Sequence, residues 1–252
     1  MMRSIRLMGV LVVGACALAT GQAAAQAAAP ADRGYVNVNV GTQAGSHDLG
    51  QQGSFDQYDE TGTFTSKVTI GGSPIFDIGG GVRVFGRLFA GVSFTRGSDT
   101  SNADVTGSVP HPFYYDQFRS VTGQASGLKH AETAIHVQAV YRLPITTKFD
   151  VALSAGPTFF SVEQDVVKAI TIAEQGSPTT GVVMTGAEKE KIKENAVGFN
   201  VGLDGTFMFS HSLGAGAFLR YTGGSVDLDA TAGKSKLDVG GLQIGAGLRL
   251  RF

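Results

Sequence analysis

The sequence predicts an all-β fold: a single antiparallel up-and-down transmembrane β-barrel of about eight strands, preceded by a helical signal peptide. Segments of roughly ten residues alternate between apolar and polar side chains, the period of a strand whose two faces meet different surroundings. The apolar face of each segment is free of charge, while the other face carries aspartates, arginines and a histidine. Past the N-terminus no apolar run is long enough for a spanning helix, and in lipid only helices and closed barrels satisfy every backbone group.

The first element is a targeting segment. "MMRSIR" supplies positive charge, "LMGVLVVGACALA" an apolar stretch and "GQAAAQAAAP" small residues, the order of a secretory signal peptide. Residues 1–27 are assigned to it, with cleavage after Ala25 or Ala27, and 28–252 to the barrel. Cys16 is the only cysteine. "VGAC" leaves lipidation of Cys16 as the alternative to its being a small residue of the apolar stretch.

The strands follow in order. Val36, Val38 and Val40 share a face in "YVNVNVG". Phe76, Ile78, Val82 and Val84 stand opposite Asp77, Gly79, Gly81 and Arg83, and Leu88, Ala90, Val92 and Phe94 opposite Gly91, Ser93 and Thr95. Ile135, Val137, Ala139, Tyr141 and Leu143 oppose His136, Gln138 and Arg142. Phe149, Val151, Leu153 and Ala155 oppose Asp150, Ser154, Gly156 and Thr158. Val197, Phe199, Val201, Leu203, Phe207 and Phe209 oppose Asn200, Asp204 and Thr206. Leu213, Ala215, Ala217, Leu219 and Tyr221 oppose Gly214, Gly216, Phe218, Arg220 and Thr222. In the last strand, "LQIGAGLRLRF", Leu242, Ile244, Ala246, Leu248, Leu250 and Phe252 oppose Gln243, Arg249 and Arg251.

Short turns near Gly86-Arg87, Thr146-Thr147 and Ser210–Ser212 alternate with long polar segments at 43–72, 97–131, 163–194 and 224–236, which are predicted to be loops on one side of the membrane. Both termini then fall on the short-turn side. Aromatic residues of the apolar face form two rows: Tyr141, Phe149, Phe207, Phe209 and Phe252 by the short turns, and Phe76, Phe94, Phe159 and Tyr221 by the long segments. Rings with one wet edge and one apolar edge favour membrane interfaces.

A ligand-carrying soluble barrel keeps its apolar face inside. Here the apolar face has complete, charge-free coverage, so the polar face is predicted to be the interior. It carries Asp77, Arg83, His136, Arg142, Asp150, Asp204, Arg220, Arg249 and Arg251 as a salt-bridged plug, with Asp204 and Arg220 as the leading pair. A barrel of about eight strands has room inside for side chains and little else. A net charge of −1 gives no basic excess for nucleic acid.

The terminal "GLRLRF" resembles the C-terminal strand of the outer-membrane protein β-barrel family, and the chain from about Tyr35 to Phe252 is similar in pattern to its small eight-stranded OmpA/OmpX-like class. The resemblance implies a bacterial outer-membrane location, insertion by the barrel assembly machinery with Leu248, Leu250 and Phe252 as the assembly signal, and contact with lipopolysaccharide. The absence of tryptophan departs from the usual girdles.

No nucleotide-binding glycine loop, metal-ligand spacing or cofactor motif is present. His136 lacks a serine or acid at catalytic spacing, and His211 sits in a short turn, so no catalytic residue is assigned and no enzyme is expected. In the second long segment His111, Phe113, Tyr114, Tyr115, Phe118 and Arg119 are gathered near two prolines, a composition found at recognition sites and also in loops packed over a barrel mouth or in hairpins extended beyond the membrane. The lysines of "GAEKEKIKEN" are solvated or pair with lipid phosphates. A structural or surface-interaction role is the first expectation. A narrow ion or solute channel is the alternative, with a lipid-modifying enzyme third.

Overall fold

The computed structural model describes residues 32–176, 181–230 and 233–252. The signal peptide, its cleavage site and Cys16 lie outside them. Among the described residues ten strands make one sheet: β1 (Gly34–Ala44), β2 (His47–Gln57), β3 (Glu60–Ile70), β4 (Ser73–Phe85), β5 (Leu88–Pro110), β6 (Phe118–Pro144), β7 (Phe149–Glu174), β8 (Val182–Met208), β9 (Leu213–Ala230) and β10 (Gly233–Arg251). Neighbours are antiparallel, and the ring β1-β4-β5-β6-β7-β8-β9-β10 closes where β1 meets β10, from Tyr35↔Arg251 to Ala44↔Leu242. The hairpin β2–β3 sits above β1 and β4, with Thr63–Val68 of β3 paired to β5. The result is an eight-membered wall with one hairpin added.

Leu88, Val92, Phe94, Ile135, Val137, Leu153, Phe199, Leu203, Leu219, Ile244 and Leu248 face outward and are exposed. The alternating side chains between them point into the ring. Both predicted aromatic rows are on the outside, and Phe252 donates its backbone N–H to Gly34, tying the end of β10 to the start of β1 at the short-turn side.

The long polar segments are not loops. β5 runs through 23 residues, β6 through 27, β7 through 26 and β8 through 27, so the strands continue well past the apolar band as extended hairpins. Along β5 the outward face reads Leu88, Ala90, Val92, Phe94 and then Arg96, Ser98, Thr100, Asn102, Asp104, Thr106. The inward face reads Gly91, Ser93, Thr95, Gly97, Asp99, Ser101 and then Ala103, Val105, Val109. The outward face turns polar just beyond Phe94, where the surroundings change from lipid to water, and the inward face turns apolar from Ala103. Above that level Leu49, Phe64, Val68, Val105, Leu128, Val162, Val166, Ile192, Leu228 and Leu237 pack into an apolar core. The wall there is divided. The β6–β7 pairing ends at His130↔Gln164 and the β8–β9 pairing at Phe199↔Gly223, leaving a four-stranded sheet and two hairpins around that core.

Candidate functional site

Below the apolar core the lumen is filled by polar side chains in three tiers. The tier nearest the short turns uses Tyr35 and Phe89 as a floor. Their rings meet edge-on at 5.8 Å, and the Arg142 guanidinium lies 4.4 Å above Phe89. Arg142 reaches Asp32 at 3.3 Å and Asp150 at 4.0 Å, Arg251 pairs with Asp150, and Arg83 donates to the backbone carbonyl of Asp32.

The middle tier is one connected network. Asp77 accepts from Asn39 Nδ2 at 2.7 Å, Thr95 Oγ1 at 2.7 Å and Arg220 Nη2 at 2.5 Å, and Arg220 also donates to Ser93 at 2.9 Å. Asn39 accepts from Arg249 at 2.5 Å, and Arg249 donates to both carboxylate oxygens of Asp204, at 2.6 and 3.3 Å. The expected Asp204–Arg220 pair is therefore not formed. Arg220 stands opposite Gly202 on β8 and reaches across the lumen to β4. Arg249 of β10 instead passes over β9 to Asp204, and it can do so because Gly216 leaves the gap: a methyl there would stand 2.8 Å from Arg249 Nε.

His136 is fully buried between Thr95 Oγ1, at 3.2 Å, and Thr158 Oγ1, at 2.8 Å. Thr95 spends its hydroxyl proton on Asp77, and Thr158 accepts from Asn200 Nδ2 at 2.9 Å. The directions agree when a neutral His136 donates from Nε2 and accepts at Nδ1. The chain of donors runs Asn200, Thr158, His136, Thr95, Asp77, ending on a carboxylate. No part of His136 meets a surface where a lipid or solute could react.

The third tier lies above the apolar band, at the neck. Glu132 accepts from Gln43 Nε2 at 3.0 Å and from the Gly240 N–H at 3.2 Å, and stands 3.1 Å from His130 Nε2. His130 Nδ1 meets the Gln164 carbonyl oxygen at 2.7 Å. Both partners are acceptors, which calls for a doubly protonated ring. Burial opposes that charge, but Glu132, Gln164 and Asp99 outweigh it and raise the pKa of His130 above its ordinary value. Among the polar side chains of the lower lumen the remaining cavity is about 70 Å³, space for a few waters.

The predicted recognition residues form the far tip. Pro110 lies 16 residues beyond Phe94 on β5, which at ~3.3 Å per residue and ~40° of tilt places it about 40 Å above the apolar band. Arg119 holds Glu174 of β7 with both terminal nitrogens, at 2.6 and 2.7 Å, and the Tyr58 hydroxyl donates to the same carboxylate at 2.8 Å. The Arg119 hydrogen bond, with that of Tyr58, holds the Glu174 carboxyl below the ordinary carboxylate range against the smaller opposing effect of burial. The Asp116 N–H donates to Glu60 at 2.8 Å, and His111 lies 4.8 Å from the Tyr114 ring. Phe113, Tyr114, Tyr115 and Phe118 stay exposed, so the cluster does not fold back over the mouth. His211 is exposed in its turn, and the lysines of 186–195 lie on β8, with Lys193 3.3 Å from Glu163 on β7. Sequence reasoning set Asn39, Thr95 and Asn200 on the polar faces without assigning them to the network, and missed Gln43, Glu132 and His130. The signal for His130 and Glu132 was their parity, which matches that of His136 and Arg142 on β6.

An apolar exterior band, a filled polar lumen and a closed antiparallel wall define a membrane-spanning β-barrel. The chain belongs to the outer membrane protein beta-barrel domain family, which it matches over residues 13–252, and that family implies an outer-membrane location. Its fold is similar to that of Neisserial surface protein A, at 14% identity and a TM-score of 0.43, covering 87% of this chain and 97% of that one. It is also similar to the outer membrane protein OprG from Pseudomonas aeruginosa, at 9% identity and a TM-score of 0.44, covering 88% and 97%. The attachment invasion locus protein Ail of Yersinia pestis gives 10% identity, a TM-score of 0.34, and coverage of 86% and 99%. No curated protein sequence matches the chain.

Proposed function

We propose that this protein is a sealed outer-membrane barrel with a structural and surface-interaction role, which carries a rigid distal tip clear of the membrane. The observation that carries this reading is the exchange of face polarity along continuous strands, from an apolar outside over a polar plug to a polar outside over an apolar core. A channel needs a wet path, and the apolar core stands directly above the plugged lumen. Rigid strands in place of loops suit a role in which the tip must be held at a distance from the lipid. The role is taken as non-enzymatic, since the buried His136 faces no substrate. Export through a cleaved signal, assembly through Leu248, Leu250 and Phe252 of β10, and contact of the outward lysines of β8 with lipopolysaccharide phosphates belong to the same reading.

Planar-bilayer recording tests it. The purified barrel is expected to give no stable conductance, and large, long-lived openings would overturn the sealed-barrel reading in favour of a channel.

A further inference from the structure

The surface-interaction reading says that the tip meets something, and the tip's chemistry says what kind of thing. Tyr115 is 85% exposed, Phe113 66% and Tyr114 56%, with Phe118 and Tyr58 beside them. Aromatic rings on the barrel wall are accounted for by lipid; these stand about 40 Å away from it, where exposed apolar rings have no structural use. Around them lie the carboxylates of Asp56, Asp59, Glu60, Asp116 and Glu174, against one guanidinium, Arg119, which Glu174 already engages. The surface is therefore aromatic and acidic at once. A cation gains from both features, through the ring faces and through the carboxylates, while an anionic surface is repelled.

The tip is also held ready. Among the described residues, the non-glycine positions with positive φ are Tyr58 (54°), Asp59 (61°) and Asp116 (59°), and all belong to this cluster. Tyr58 and Asp59 turn between β2 and β3 where asparagine and glycine are usual, and the Tyr58–Glu174–Arg119 contacts fix them there. A turn fixed in advance loses little entropy on binding.

We propose that the distal tip is a docking surface for a cationic protein segment, one bearing exposed lysine or arginine side chains. The inference rests on the surface-interaction reading of the barrel. An arginine or lysine would lie over the rings of Tyr114 and Tyr115 with its charge toward Asp59 and Asp116.

The full-length protein in nanodiscs of zwitterionic lipid, free of lipopolysaccharide, allows a direct test. The probes are an arginine–glycine repeat peptide, its glutamate–glycine counterpart, and vesicles of phosphatidylserine. The arginine peptide is expected to bind. Tyr114→Ser/Tyr115→Ser and Asp59→Asn/Asp116→Asn are each expected to weaken it about tenfold or more, while Asp227→Asn/Asp238→Asn, an equal charge change on the outer face of β9 and β10, leaves it unchanged. Equal loss in the Asp227/Asp238 variant, or no loss in the tyrosine variant, would reduce the effect to bulk charge and overturn the proposal. Tip-dependent binding of the phosphatidylserine vesicles or the glutamate peptide instead would overturn the cationic partner and leave the surface-interaction reading standing. A protein that binds no probe and conducts in bilayers would end both.

Discussion

Asp77 sits low in dielectric with donors from Asn39, Thr95 and Arg220, and each donor is bound to another member of the network. Removing one side chain of such a pair leaves a buried charge without its partner, at a cost of about 3–5 kcal/mol. Asp204→Ala is expected to show a loss of that order in urea unfolding from micelles, and the loss falls on Arg249. A double-mutant cycle checks the pairing: Asp204 with Arg249 is expected to couple strongly, and Asp204 with Arg220 weakly. Strong coupling in the second cycle would restore the pair that sequence reasoning chose. That choice went wrong for a definite reason. Short-turn neighbours show in a sequence, whereas a guanidinium reaching over β9 through the space at Gly216 depends on the closed ring. Leu203 faces lipid, and Leu203→Arg is expected to cost about 2–4 kcal/mol near mid-membrane. His136 is expected to appear by nitrogen-15 NMR as the neutral Nε2–H tautomer. A doubly protonated ring at neutral pH would contradict the donor order.

At the scale of the element, the neck is where the polar plug of the strands meets their apolar upper core. His130 there has a raised pKa, so its pair with Glu132 contributes fully below its ordinary value of 6.5 and is lost as pH rises through the higher folded value. As pH rises above 6.5 the wild-type protein is expected to lose thermal stability that a His130→Gln variant does not lose; parallel profiles for the two would remove His130 from the account. The groups facing it are Glu132, Gln164 and Asp99. The membrane spans of the strands were legible because their outward faces carry long unbroken alternations. Their upper halves were read as loops because the inward residues there are small, as in Ala103, Val105, Gly107 and Val109, and the outward ones are Ser, Thr and Asn. The irregular register opposite Ser101 and Ala103 puts an extra residue on β6 between Ala125 and Leu128, and another irregularity at Val167/Ala169 puts one on β7, so the alternation of those two strands is interrupted.

For the whole molecule, the account holds that each long strand passes from lipid into water without ending, and turns its faces over in polarity as it does. The first and last strands meet at the short-turn side through Gly34 and Phe252, and deletion of Phe252 is expected to reduce membrane yield far more than Lys189→Ala. The tip residues of the second long segment were legible as a group in the sequence, with an extended hairpin as one alternative for them, and their distance from the membrane was not, since it depends on how far that segment continues as strand. The most direct measurement is site-directed spin labelling along β5, one position at a time, with Cys16 replaced by serine. Labels at Ala90, Val92 and Phe94 are expected to collide with oxygen as lipid-facing sites do, and labels at Arg96, Thr100, Asp104 and Thr106 with a water-soluble relaxant. Labels at Ala103, Val105 and Val109 are expected to be shielded from both. Free water access at Ala103, Val105 and Val109, with the mobility of a loop, would contradict the account.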